Sequence, residues 1–231
     1  MQTEAVLFDY GLTLVTFEYP TAALVEVLES VRHLLGAEPP TAEWLLSNVL
    51  HPLERDLEGF GSEDEVDYLD FYDHAWRRAG LRLPPELLYR ILDLEQQAWD
   101  GSVRVVPGAL ELIDRLRARG LRTGICSNAP FPPEMMLRQL RTNLLAERMD
   151  VVIFSSAIGR RKPSPEPYRA AMEALGLTAA RVLFVGDRLR EDFEGPLAVG
   201  MRAILVWPRG LPPPPTGVPT IRNLAELEAL L

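Results

Sequence analysis

The chain has 231 residues, a net charge of −9, 47% hydrophobic and 25% charged residues, and one cysteine. That length can bury a sizeable core or divide into two modules, and a lone Cys126 excludes both an internal disulfide and a cysteine zinc site. The surplus of acid argues against a nucleic-acid partner, and the absence of a membrane-length apolar run or a basic-then-apolar leader makes the cytoplasm the expected address, with no membrane partner.

The first element is Ala5-Val6-Leu7-Phe8, an unbroken apolar run that ends at Asp9 and reads as a strand covered on both faces. For about eighty residues the spacing then becomes helical. Leu24, Val27, Leu28, Val31, Leu34 and Leu35 form one stripe over Thr21–Leu35, with Thr21 as N-cap. Three more helices are predicted over Thr41–Leu57, over Ser62–Ala79 with Ser62 as N-cap, and over Pro85–Trp99. The acidic run Glu63-Asp64-Glu65-Val66-Asp67 reads as a solvated helix start.

From Gly101 onward the pattern alternates. Helices over Gly108–Arg119, Glu134–Glu147 and Glu166–Leu175 precede strands over Leu121–Cys126, Val151–Phe154 and Val182–Val185. A short helix near Asp192–Val199 leads to a strand over Ala203–Val206, and Leu224–Leu231 closes the chain as a helix. The proline run Leu211–Pro215 reads as a surface loop. Alternation of this kind implies an α/β fold with a parallel sheet and right-handed crossovers. Residues 1–15 and 100–231 are therefore expected to form one α/β domain, and residues 16–99 a helical module inserted after the first strand. Charge divides the same way. Residues 16–99 carry 17 acids and six bases, a net of −11, and the remainder 16 acids and 18 bases, a net of +2.

In open α/β sheets ligands bind outside the carboxyl ends of the strands. The residues at those ends are Asp9, Ser127 and Asn128, Ser155 and Ser156, and Asp187. Carboxylates and small hydroxyls at one rim suit a hard divalent ion plus a phosphoryl group, with cations available at Arg160-Arg161-Lys162. Lys162 is the single lysine beside 23 arginines. A lone lysine marks a place that needs a compact point charge, which the planar guanidinium fork cannot supply.

Four stretches together resemble the haloacid dehalogenase (HAD) superfamily of aspartate-nucleophile hydrolases. They are Phe8-Asp9-Tyr10-Gly11-Leu12-Thr13-Leu14, Ile125-Cys126-Ser127-Asn128, Arg161-Lys162-Pro163-Ser164-Pro165, and Val185-Gly186-Asp187-Arg188-Leu189-Arg190-Glu191-Asp192, in that order. The resemblance implies a three-layer, Rossmann-like core, and the insert is similar to the family's C1 cap. It implies that Asp9 attacks phosphorus to form an aspartyl phosphate. Thr13, Ser127, Asn128 and Lys162 would hold the phosphoryl group. Mg²⁺ would bind Asp9, the Gly11 backbone carbonyl and Asp187, with Asp192 oriented toward the same ion. The implied partner is a small phosphorylated substrate, and the implied assembly a monomer or homodimer.

The sequence departs from the family pattern at Gly11, where a second Asp usually serves as general acid and then base. Such a group contributes about 10²–10⁴-fold, so slow turnover is expected. Four explanations compete: a phosphatase for substrates with good leaving groups, or with a borrowed base such as Glu18; a 2-haloacid dehalogenase, which needs neither the second Asp nor a metal; a phosphonatase, ruled out because residues 16–99 contain no lysine for its Schiff base; and a phosphate- and metal-binding protein without turnover. His33, His51 and His74 share no ligand spacing and receive no role. Phe17, Tyr19 and Tyr72 are candidates for substrate selection.

Overall fold

The structure, a computed structural model, describes residues 2–207, 212 and 216–231. Apart from Pro212, the proline run Leu211–Pro215 lies outside the described residues. The strands are β1 (Ala5–Phe8), β2 (Val15–Phe17), β3 (Val103–Val105), β4 (Arg122–Ser127), β5 (Val151–Phe154), β6 (Val182–Gly186), β7 (Arg202–Val206) and β8 (Thr220–Ile221). Six of them form a parallel sheet in the order β5-β4-β1-β6-β7-β8, and β2 pairs with β3. All four β1 residues are fully buried, as a central strand flanked on both sides requires. The strands β2 and β3, three residues each, are too short to declare themselves by alternation.

The chain divides into two compact units. One comprises Met1–Phe17, Glu63–Glu65 and Arg104–Leu231; the other Glu18–Ser62 and Val66–Val103. In the first, the sheet packs with the helices over Ala109–Ala118 and Pro165–Leu175. Cys126 joins Leu7, Tyr168 and Phe184 in its core, so it is a free, buried small residue as its surroundings in sequence suggest.

In the second unit, the main helices are α1 (Thr21–Val31), α2 (Ala42–Leu45) running through one π turn into α3 (His51–Glu58), α4 (Tyr68–Arg78) and α5 (Pro85–Asp100). Leu24, Leu28, Leu45, Val49, Trp76, Ile91 and Leu92 are buried from these helices. Each such side chain contributes roughly 1.5–3 kcal/mol by leaving water.

The structure corrects several boundaries. Pro20, not Thr21, is the N-cap residue of α1, and Thr21 is its first helical residue. The helix expected from Ser62 begins at Tyr68, because the Asp67 carboxylate accepts from the Leu69 and Asp70 N–H groups and stops the helix there. Glu63–Glu65 are not a solvated helix start: they pair with arginines of the α/β unit. The closing helix is a 3₁₀ segment over Leu224–Leu230. Tyr72 is fully buried with its hydroxyl donating to Glu95 at 2.8 Å, so it is a core residue of the helical unit and not a substrate contact.

Candidate active site

Parallel pairing aligns the strand ends. Phe8 stands in register with Ile125 on one side and Val185 on the other, so Asp9 emerges between Ser127 at the end of β4 and Asp187 just past β6. The Asp9 N–H still donates to the Val185 carbonyl at 2.8 Å, which holds its backbone to the sheet while the side chain leaves it. The loop that follows folds back tightly: Leu14 and Val15 both donate to the Tyr10 carbonyl, and Leu12 adopts φ = 60°. That turn brings the Thr13 hydroxyl to 3.4 Å from Asp187 Oδ1.

Lys162 lies at the centre. Its Nζ donates to Asp9 Oδ1 at 2.7 Å and to Asp192 Oδ1 at 2.6 Å, over the ring of Phe184 at 4.9 Å from the centroid. The other Asp192 oxygen accepts from the N–H groups of Asp187 (3.0 Å) and Arg188 (2.9 Å). Asp192 is thus spent on fixing Lys162 and the turn after β6. Gly186 permits this approach, since a Cβ there would overlap the Asp192 carboxyl.

Carboxylate oxygens of Asp9, Asp187 and Asp192 all lie within 4.8 Å of one another. Burial pushes the Asp9 carboxyl above its ordinary range; Lys162 pulls it down and Asp192 pushes it up again, while the Ser127 hydroxyl helps hold the ionised form. Burial, Asp9 and Asp192 raise Asp187 to about 6, with Arg188 and Lys162 opposing. Burial alone would lower the Lys162 ammonium, but Asp192 and Asp9 outweigh it and hold the ammonium above its usual value. Three clustered carboxylates against this one ammonium leave negative charge that a hard cation with oxygen ligands fits.

Asn128 is placed differently from its expected role. Its Oδ1 accepts from the Lys162 N–H at 2.7 Å and its Nδ2 donates to the Lys162 carbonyl at 3.0 Å, so both amide atoms grip the lysine backbone. Ser155, the residue after β5, accepts through its Oγ from the Ala129 N–H at 2.8 Å and braces the same loop. A Cβ at Gly11 would meet only Phe17 Cε1, at 3.6 Å. His51 and Tyr19 pack on each other within the helical unit, at 5.5 Å between rings.

Asp9, Lys162 and the acidic cluster stand together at the carboxyl ends of a parallel sheet, and the chain belongs to the haloacid dehalogenase-like hydrolase family, which it matches over residues 3–200. It is 29% identical to a phosphatase of Mycobacterium tuberculosis over 243 aligned residues, covering 100% of this chain and 98% of that one. It is 42% identical to a phosphoglycolate phosphatase of Rhodospirillum rubrum over 83 residues, a match that spans 36% of this chain and 34% of that protein. Two solved structures share the fold: a HAD phosphatase from Thermococcus onnurineus (TM-score 0.69, 24% identity, 99% and 97% of the two chains) and a 2-haloacid dehalogenase from Pseudomonas syringae (TM-score 0.72, 21% identity, 99% and 98%). Among the described residues, no helix is long and apolar enough to cross a membrane.

Proposed function

We propose that this protein is a Mg²⁺-dependent phosphatase acting on a small phosphorylated metabolite, with Asp9 as nucleophile. The observation that carries this reading is the Lys162 ammonium bridging Asp9 and Asp192 beside the three-carboxylate cluster. An Asp9 oxygen attacks phosphorus as the bond to the leaving oxygen breaks, giving an aspartyl phosphate. Water then attacks that phosphorus and frees Asp9. Lys162 neutralises the nucleophile and the transferring oxygens by charge, and Ser127 and Thr13 supply hydroxyl donors. Asn128 acts through the Lys162 backbone that it clamps.

The oxygen donors of Asp9 and Asp187, with the Gly11 carbonyl, would hold Mg²⁺, whose charge offsets the repulsion between an anionic nucleophile and an anionic substrate. Asp192 orients the turn that carries Asp187. The similarity to phosphatases, one of them a phosphoglycolate phosphatase, supports a small phosphate ester or anhydride as substrate. Gly11 provides no proton donor, so leaving groups that depart as stable anions, those of aryl and acyl phosphates, are favoured over alkyl esters. The acidic cluster supports phosphoryl transfer over a metal-free dehalogenation.

Phosphate release from p-nitrophenyl phosphate and acetyl phosphate, with Asp9→Asn as the blank, tests the reading. Activity that needs both Mg²⁺ and Asp9 is expected. Metal-independent halide release from a 2-haloacid overturns it, as does binding of Mg²⁺ and phosphate with no turnover of either ester.

A further inference from the structure

Glu63-Asp64-Glu65 belongs by sequence to the helical insertion, yet it lies antiparallel to Gly159-Arg160-Arg161, the three residues that lead into Lys162. The Arg161 N–H donates to the Glu63 carbonyl at 2.7 Å, and the Glu65 N–H donates to the Gly159 carbonyl at 3.0 Å. Side chains continue the pairing. Arg161 Nη1 donates to Glu65 Oε1 at 3.0 Å with the Glu65 side chain only 1% exposed, Arg160 pairs with Asp64, and Arg190 pairs with Glu63 at 2.9 Å. On its other side the Lys162 peptide is held by the Asn128 amide.

Exposed ion pairs such as Arg190–Glu63 are worth roughly 0–1 kcal/mol. The Glu65–Arg161 pair differs, because its carboxylate is out of water, where an ion pair is screened far less than at the surface. The pair stands one residue from an ammonium that must meet Asp9 and Asp192 at hydrogen-bonding distance. We propose that the Glu63–Glu65 segment is a brace that positions Lys162, with Glu65 a positioning residue acting through Arg161. This rests on the phosphatase reading of Lys162 given above.

The chain's single lysine offers a direct test. Labelling lysine with ¹⁵N gives one side-chain signal, Lys162 Nζ, whose shift reports its contacts with Asp9 and Asp192 without any turnover. Glu65→Gln is expected to shift or broaden that signal. It should also lower kcat on p-nitrophenyl phosphate about 10–100-fold at unchanged KM, since a misplacement of about 1 Å can cost 10²-fold. Arg161→Gln removes the pair from the opposite side and should do the same, with the double variant no worse than either single one, and Glu65→Asp should recover part of the loss. Arg115→Gln, which breaks only the exposed pair with Glu228, is the control and should leave signal and kcat as they are. A Nζ signal coincident with wild type in folded Glu65→Gln and Arg161→Gln overturns the brace. Lack of any wild-type phosphatase activity would instead overturn the phosphatase reading, and the Nζ comparison would still decide the brace.

Discussion

Gly11→Asp is expected to raise turnover on alkyl phosphates, because it adds the general acid that the proposed phosphatase lacks. Gly11 is not among the glycines with positive φ, and a Cβ added to it meets only Phe17 Cε1 at 3.6 Å, an ordinary van der Waals contact. Neither the backbone conformation nor the space around a Cβ therefore demands glycine. Restricting the unfolded chain adds about 0.4–1 kcal/mol of stability, which offsets part of the cost of a further acid beside Asp9, Asp187 and Asp192. Those like charges raise the pKa of the new group, which favours the protonated form that a leaving oxygen needs. General acid catalysis of about 10²–10⁴-fold corresponds to about 2.7–5.5 kcal/mol off the barrier. Initial rates on an alkyl phosphate and on an aryl phosphate, with Mg²⁺ present, measure it. The gain should be large for the alkyl ester and small for the aryl ester, whose leaving group needs little protonation. A folded Gly11→Asp protein with unchanged kcat on the alkyl ester refutes the reasoning, as does a wild type that already cleaves alkyl esters as fast as aryl ones.

Stability should fall with rising pH. Burial raises Glu95 to about 8, with the Tyr72 hydroxyl opposing the shift and Glu54 adding to it, so the folded protein holds a proton that the unfolded chain releases near 4.5. Between these values stability declines by up to about 1.4 kcal/mol per pH unit for this one group. Thermal unfolding at pH 5 and pH 8 should show a smaller drop in Tm for Glu95→Gln than for wild type, with a residual slope from Glu54, which burial lifts to about 7; equal drops refute the assignment. Gly186→Ala forces a methyl group into the Asp192 carboxyl, for an overpacking cost of about 1–3 kcal/mol, and should abolish phosphate release as Asp192 leaves Lys162. An active Gly186→Ala variant with wild-type Tm would show that Asp192 does not orient the lysine.

Much of the site was legible in the sequence because it depends on local pattern. The apolar run into Asp9, the run ending at Ser127 and the run ending before Asp187 are buried strands, and a parallel sheet necessarily gathers their ends at one rim. Lys162 stood out by composition alone, as the one lysine among arginines. The extent of each helix was less legible. Asp67 cuts back a helix that periodicity would start at Ser62, because a capping carboxylate outweighs a hydrophobic stripe at the first turn. Other decisions belonged to the tertiary structure. Asn128 could have faced substrate or backbone, and only the arrival of the Lys162 peptide from 34 residues away fills both its amide atoms. Tyr72 read as a cleft aromatic until packing placed its hydroxyl on a buried Glu95. The partners of Glu65 and Arg161 lie 96 residues apart. An acidic run and a basic run announce their charge from sequence, but charge has no periodicity that names its partner, and only the folded chain decides which arginine each acid meets.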